Sequence, residues 1–293
     1  MKLLFADGDF FEGPRWHDGA WWVSDIFGAT VWRIAPDGKS EVAATVEQWP
    51  SGLGWLPNGD MLIVSIRDRR LMRRDRDGTL GIHADLSPWS PYWLNDMIVD
   101  VEGRAYVGNL GADLPNGGNP GLTTLCRIDP DGSGRIVAED LLFPNGMAIT
   151  RDGKTLVVGE SLGNRMTAFT IGADGGLSNR RVWAQFGPTP PAANWSMDLL
   201  HHMDLSPDGC AIDREDCIWA ADASNGRVCR IAEGGAILDE VRPPDDYQVF
   251  ACALGGPDGR DLLICAAPSV DPAVNIGQRR GRLFITRVEV PAA

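Results

Sequence analysis

Positive charge is scarce in this sequence: 27 Lys and Arg stand against 40 Asp and Glu, a formal net charge of −13 over 293 residues with a pI near 4.7. A surface of that sign has no basic patch from which a phosphate backbone could displace counterions, so nucleic acid is not an expected partner. Long apolar runs are missing too. The segment Leu3-Leu4-Phe5-Ala6 between Lys2 and Asp7 is too short for a secretory core, and nothing approaches membrane-spanning length. A cytoplasmic protein without membrane association is therefore expected, as a monomer or homodimer. The six cysteines (Cys126, Cys210, Cys217, Cys229, Cys252, Cys265) lack C-x-x-C spacing, and several sit in apolar runs such as Leu263-Ile264-Cys265-Ala266, which predicts reduced, buried thiols. With four histidines (His17, His83, His201, His202) and no Gly-x-Ser-x-Gly elbow, no nucleophilic triad is evident. Linkers, low-complexity stretches and long amphipathic helical patterns are also lacking, so residues 1–293 are expected to form one domain.

What the chain does have is a repeat. An Asp-, Asn- or Glu-led tight turn, an alternating apolar strand, a polar turn and a second strand recur six times, with turn residues Gly19, Gly59, Gly103, Gly153, Asp216 and Gly259 spaced 40 to 63 residues apart. Such turns need positive φ, which Gly supplies at low steric cost, and the flanking Val, Ile, Leu and Trp suit pleated strands packed on both faces. Six units of this length predict an all-β, six-bladed β-propeller of four-stranded antiparallel blades around a central channel. Residues 2–6 are placed to add an outer strand beside 282–288 and so close the last blade without an open seam.

A second register lies seven or eight residues before each turn: Glu12, Ser51, Asn95, Asn145, Asp208 and Ala251. In a propeller these positions converge on the axis, and four of the six are carboxylates or amides. Glycine follows directly in Glu12-Gly13, Ser51-Gly52, Asn145-Gly146 and Asp208-Gly209, where neighbouring backbones must approach closely. Any one Asp or Asn usually caps a turn. Four at one register predict instead a channel that binds one divalent metal ion through hard oxygen donors, suited to Ca²⁺, Mg²⁺ or Mn²⁺ and able to take Zn²⁺ or Fe²⁺.

The stretches Glu12-Gly13-Pro14-Arg15-Trp16, Leu94-Asn95-Asp96-Met97 with Asp100 and Gly103-Arg104, Phe143-Pro144-Asn145-Gly146-Met147-Ala148, and Ser206-Pro207-Asp208-Gly209 running on to Asp213 together resemble the SMP-30/gluconolactonase/regucalcin (luciferin-regenerating-enzyme-like) family along essentially the whole chain. That resemblance implies that Glu12, Asn145 and Asp208 ligate the metal and that Asn95 binds either substrate or metal. It implies hydrolysis of a lactone to its hydroxy acid; for the carboxylate that accepts a proton from the attacking water our candidate is Asp208, with Asp96 second and as much expected in a turn or supporting role. One departure concerns substrate: sugar-lactonase members often carry arginine two residues before the Asn95 position, whereas this chain has Trp93, which weighs against an aldonolactone. Trp89, Tyr92, Trp93 and Trp195 fall in or near connections at the channel mouth and favour a less polar lactone. The segments 109–121 and 186–203 are the conspicuous long loops, and His201-His202 within the second is expected to wall the pocket rather than bind metal. Two other functions fit the same register: a phosphotriesterase-like hydrolase, and a calcium- or ligand-binding propeller without catalysis.

Overall fold

In the computed structural model, which describes residues 1–244 and 247–293, six four-stranded antiparallel sheets are arranged as the blades of a β-propeller. The first five blades run outward in chain order, and the last does so up to its outermost strand. The first comprises Phe11–His17, Ala20–Asp25, Thr30–Ile34 and Ser40–Thr45. The innermost strands of the next five are Pro50–Trp55, Leu94–Val99, Pro144–Ile149, Pro207–Ile212 and Gln248–Gly255. All six anticipated hairpin turns are present, and they have the anticipated handedness: Gly59 lies at φ 87° and even the non-glycine Asp216 at φ 56°.

Burial explains why the inner strands read as nearly continuous apolar runs while the outer ones do not. A blade is covered on both faces by its neighbours near the axis, so Met61–Ser65 is buried at every position, whereas the outer strand Ile237–Val241 is almost wholly exposed. Phe11, Trp21, Val23 and Ile34 of the first blade pack directly against Ala251, Ala253, Leu263 and Cys265 of the last. All six cysteines are free and buried in such layers.

The first and last blades are joined by strand exchange between the ends of the described chain. Lys2–Gly8 pairs with Gly281–Arg287, with Leu3 opposite Phe284 and Phe5 opposite Leu283. Asp9 secures the seam, its carboxylate accepting the backbone N–H groups of Gly277 at 2.7 Å and Arg279 at 2.8 Å. Among the described residues no helix is long and apolar enough to cross a membrane.

Candidate functional site: a polar floor under an aromatic wall

Pairing between the first two strands is irregular in every blade, and the slips recur at equivalent places: between Glu12 and Arg15, Pro50 and Leu53, Leu94 and Met97, Pro144 and Met147, Pro207 and Cys210, and Val249 and Ala251. Such bulges bend the strand and re-aim one side chain. Here the re-aimed positions are the axial register, and Glu12, Asn95, Asn145 and Asp208 line one cavity of about 270 Å³ at the mouth of the channel. The glycines after them permit the convergence. A Cβ on Gly146 would lie 2.2 Å from the Asp208 carbonyl oxygen, and one on Gly52 would lie 2.4 Å from the Met97 nitrogen.

Three buried side chains hold the approach to this register, and the sequence reading missed them. Asp25 accepts the N–H groups of Asp9 and Phe10 at 3.0 to 3.1 Å. Glu160 accepts that of Leu142 at 2.8 Å, and Asp222 that of Ser206 at 3.1 Å. Each closes the second strand of its blade and grips the backbone two or three residues ahead of an axial residue. Their signal was available as a polar residue recurring at the end of an otherwise apolar strand. Hydroxyls link the blades: Asn145 donates its amide to Ser161 Oγ at 3.2 Å, Ser161 donates to the Pro207 carbonyl at 2.8 Å, and Ser24 donates to the Ser51 carbonyl at 2.6 Å.

The floor is electrostatically unusual. Glu12 and Asp208 are each only 8% exposed. Burial raises the Glu12 carboxyl well above its ordinary range, helped by the Asp208 carboxylate and the nearby Asp96 and opposed by the Gly13 N–H and Arg15. Asp208 is pushed up to about 8, chiefly by burial, with the Asp96 carboxylate adding to the rise and the Gly209 N–H and the Asn145 amide pulling the other way. Two buried carboxyls that resist joint ionisation, beside two amides, form a hard-oxygen donor set that a divalent cation would complete. Among the described residues no cluster contains three or more His, Cys, Asp or Glu in metal-binding proximity, so amide oxygens are needed to fill such a shell.

Asp96, the second candidate base, lies outside the cavity lining. Its Oδ1 accepts Arg15 Nη2 at 3.0 Å and the Met97 N–H at 2.8 Å, so its place is in a buried ion pair. The slip in the strand accounts for the difference, since it turns Asn95 to the axis and its neighbour away.

Above the floor the wall is mainly apolar, with Gln248, His201 and Asp271 as its polar members. Trp93 lines it, whereas Trp89, Tyr92 and Trp195 are absent from the lining, Trp89 packing against the same apolar cluster as Trp93 and Trp195 beside Phe143 and Leu200. The residues two before the axial position in the first, second and fourth blades, Phe10, Trp49 and Phe143, line it as well, and all three were overlooked in the sequence. Both conspicuous loops contribute as expected, through Leu110 and Leu114 and through Met197, Leu200 and His201. A third segment, carrying Val270, Asp271 and the short helix Pro272–Asn275, was not singled out and completes the rim. Arg67 lies at the mouth with its guanidinium 4.9 Å from the Trp49 ring and 5.8 Å from that of Trp93.

Comparison with known proteins follows the same architecture. The family pattern described as the SMP-30/gluconolactonase/LRE-like region matches residues 10–268. A 6-deoxy-6-sulfogluconolactonase of Pseudomonas putida is 27% identical over 288 residues, spanning 96% of this chain and 91% of the relative. A pentonolactonase of Haloferax volcanii is 27% identical over 259 residues, spanning 87% of this chain and 81% of the relative. Among solved structures, a calcium-binding protein, regucalcin, from Agrobacterium tumefaciens superposes with a TM-score of 0.76 at 23% identity, covering 98% of this chain and 92% of that one.

Proposed function

Because the chain belongs to the SMP-30/gluconolactonase/LRE-like family, we propose that it hydrolyses a lactone to the corresponding hydroxy acid at the floor of the axial cavity. The observation that carries this reading is the convergence of Glu12, Asn95, Asn145 and Asp208 on one cavity, and the relatives named as lactonases support the reaction class.

Glu12, Asn145 and Asp208 are the residues that would hold a divalent cation, and their oxygens suit a hard ion. Bound there, such an ion supplies Lewis-acid polarisation of the ester carbonyl. The chain's own groups do the rest. Asp208, ionised beside the cation, would accept a proton from the attacking water and return it to the ring oxygen as the ester C–O bond opens. Asn95, whose amide Nδ2 lies 3.4 Å from the Pro144 carbonyl, turns to donate to the substrate oxygen. The apolar wall excludes bulk water and strengthens each of these interactions.

The experiment is to strip the protein of metal, restore Mg²⁺, Ca²⁺, Mn²⁺, Fe²⁺ or Zn²⁺ singly, and follow initial rates on γ- and δ-lactones with Asp208→Ala in parallel. Cation-dependent turnover that disappears in Asp208→Ala is expected. Turnover on phosphotriesters alone would replace the carbonyl reaction with a phosphoryl one, and a cation that only raises the melting temperature, without turnover on either, would refute catalysis.

A further inference from the structure

The polyhydroxylated lactones named for the relatives need a hydrogen-bonding wall, and this cavity has an aromatic one. Five rings form an unbroken chain around one side of it: Phe250 and Phe10 at 4.7 Å between centroids, Phe10 and Phe27 at 5.1 Å, Phe27 and Trp49 at 5.3 Å, and Trp49 and Trp93 at 5.8 Å. The last two contacts are edge-to-face, the arrangement that ring quadrupoles favour. The chain is anchored on the last blade and the first three, and each ring is held by the next, so the surface is set before a ligand arrives.

Resting on the lactonase reading, we propose that the substrate is a lactone bearing an apolar alkyl or aryl substituent, which lies along this belt while the ester faces the polar floor. The ring hydroxyls of a sugar lactone would meet hydrocarbon along the belt, and a hydrophobic pocket disfavours an added hydroxyl by about 100-fold. An aliphatic or aromatic substituent instead gains the apolar area it removes from water. Trp93 closes the belt at the third blade beside Asn95, which makes it the specificity-determining residue.

The test compares kcat/KM of the unmodified, metal-replete protein on alkyl- and phenyl-substituted lactones with that on aldonolactones of the same ring size. A preference of at least 100-fold for the apolar series is expected, and Trp93→Ala should reduce kcat/KM for the phenyl lactone at least tenfold while changing that for the aldonolactone far less. Equal or better hydrolysis of aldonolactones overturns the substrate class and leaves lactone hydrolysis standing. Should no lactone turn over, calorimetric titration with the corresponding lactams decides: binding of the phenyl lactam but not of a hydroxylated one upholds the apolar cavity and removes the hydrolase reading, and binding of neither overturns the proposal.

Discussion

Gly146→Ala is the sharpest test of how the site is built, because the added methyl has no room on the axis. Its Cβ would lie 2.2 Å from the Asp208 carbonyl oxygen, 2.7 Å from the Cys210 nitrogen and 2.8 Å from Gly209 Cα. All three are backbone atoms that no rotamer change can move. Ordinary contact begins at 3.4 Å, so the innermost strands of the fourth and fifth blades must part by about 1 Å, a relaxation of the overpacked kind that costs about 3 kcal/mol. With an unfolding entropy of roughly 2.1 cal/mol/K per residue, a chain of this length loses about 0.6 kcal/mol/K, so the midpoint should fall by about 5 °C. The displaced strand carries Asp208, and a misplacement of that size costs about 100-fold in turnover. Gly81→Ala is the matched control, since Gly81 is exposed on the outer strand Leu80–Asp85 and a Cβ there meets nothing within 4 Å. Scanning fluorimetry and initial lactone rates on the two variants give both numbers. A Gly146→Ala protein that melts with the unsubstituted protein and keeps its rate would refute the close approach of the blades.

Metal-stripped protein should lose stability as pH rises from about 4 to about 8. The folded state retains a proton on Asp208 that the unfolded chain has given up, so the stabilisation is complete below the ordinary carboxyl range and is lost through about 8; melting in chelator across this window checks it, and an added divalent cation should raise the midpoint more at pH 8 than at pH 5. Asp222→Asn weakens the ion pair with Arg227, 2.8 Å away, and the grip on the Ser206 N–H ahead of Asp208. It should cost about 3 kcal/mol by thermal melting, as expected for removing one partner of a buried pair, and lower cation affinity by calorimetry. Native protein should react with less than one equivalent of a thiol reagent at pH 8 and with six after denaturation, because burial pushes the thiols up, Cys126 to about 11 and Cys229 to about 12.

The blades were legible in the sequence because two strong local signals coincide, a positive-φ turn residue and an apolar strand on either side, and they do so six times. The axial register was legible because Gly13, Gly52, Gly146 and Gly209 mark close backbone approach directly beside it. The wall was not. Phe10, Trp49 and Phe143 are aromatic residues in an aromatic-bearing core that stand just before the innermost strands, Trp49 and Phe143 at φ 72° and 59°, a backbone turn that no motif announces. The register put Asn95 on the axis, but nothing in the sequence paired its neighbour Asp96 with the distant Arg15. The segment holding Val270 and Asp271 carries no motif and acquires its place at the rim only from the closure of the last blade.

That closure also sets a timetable. Residues 2–8 form their strand only with residues 281–287, so during synthesis at about 5 to 20 residues per second the strand waits roughly 15 to 55 s for its partner. Throughout that interval the hub is an open arc, and Glu12, a few residues from the waiting strand, has no finished cavity to enter. A nascent chain interrupted before the last blade would therefore display five blades and two uncovered apolar faces, one carrying Phe11, Trp21 and Val23 and the other Trp219, Ala221 and Val228, the state most exposed to association.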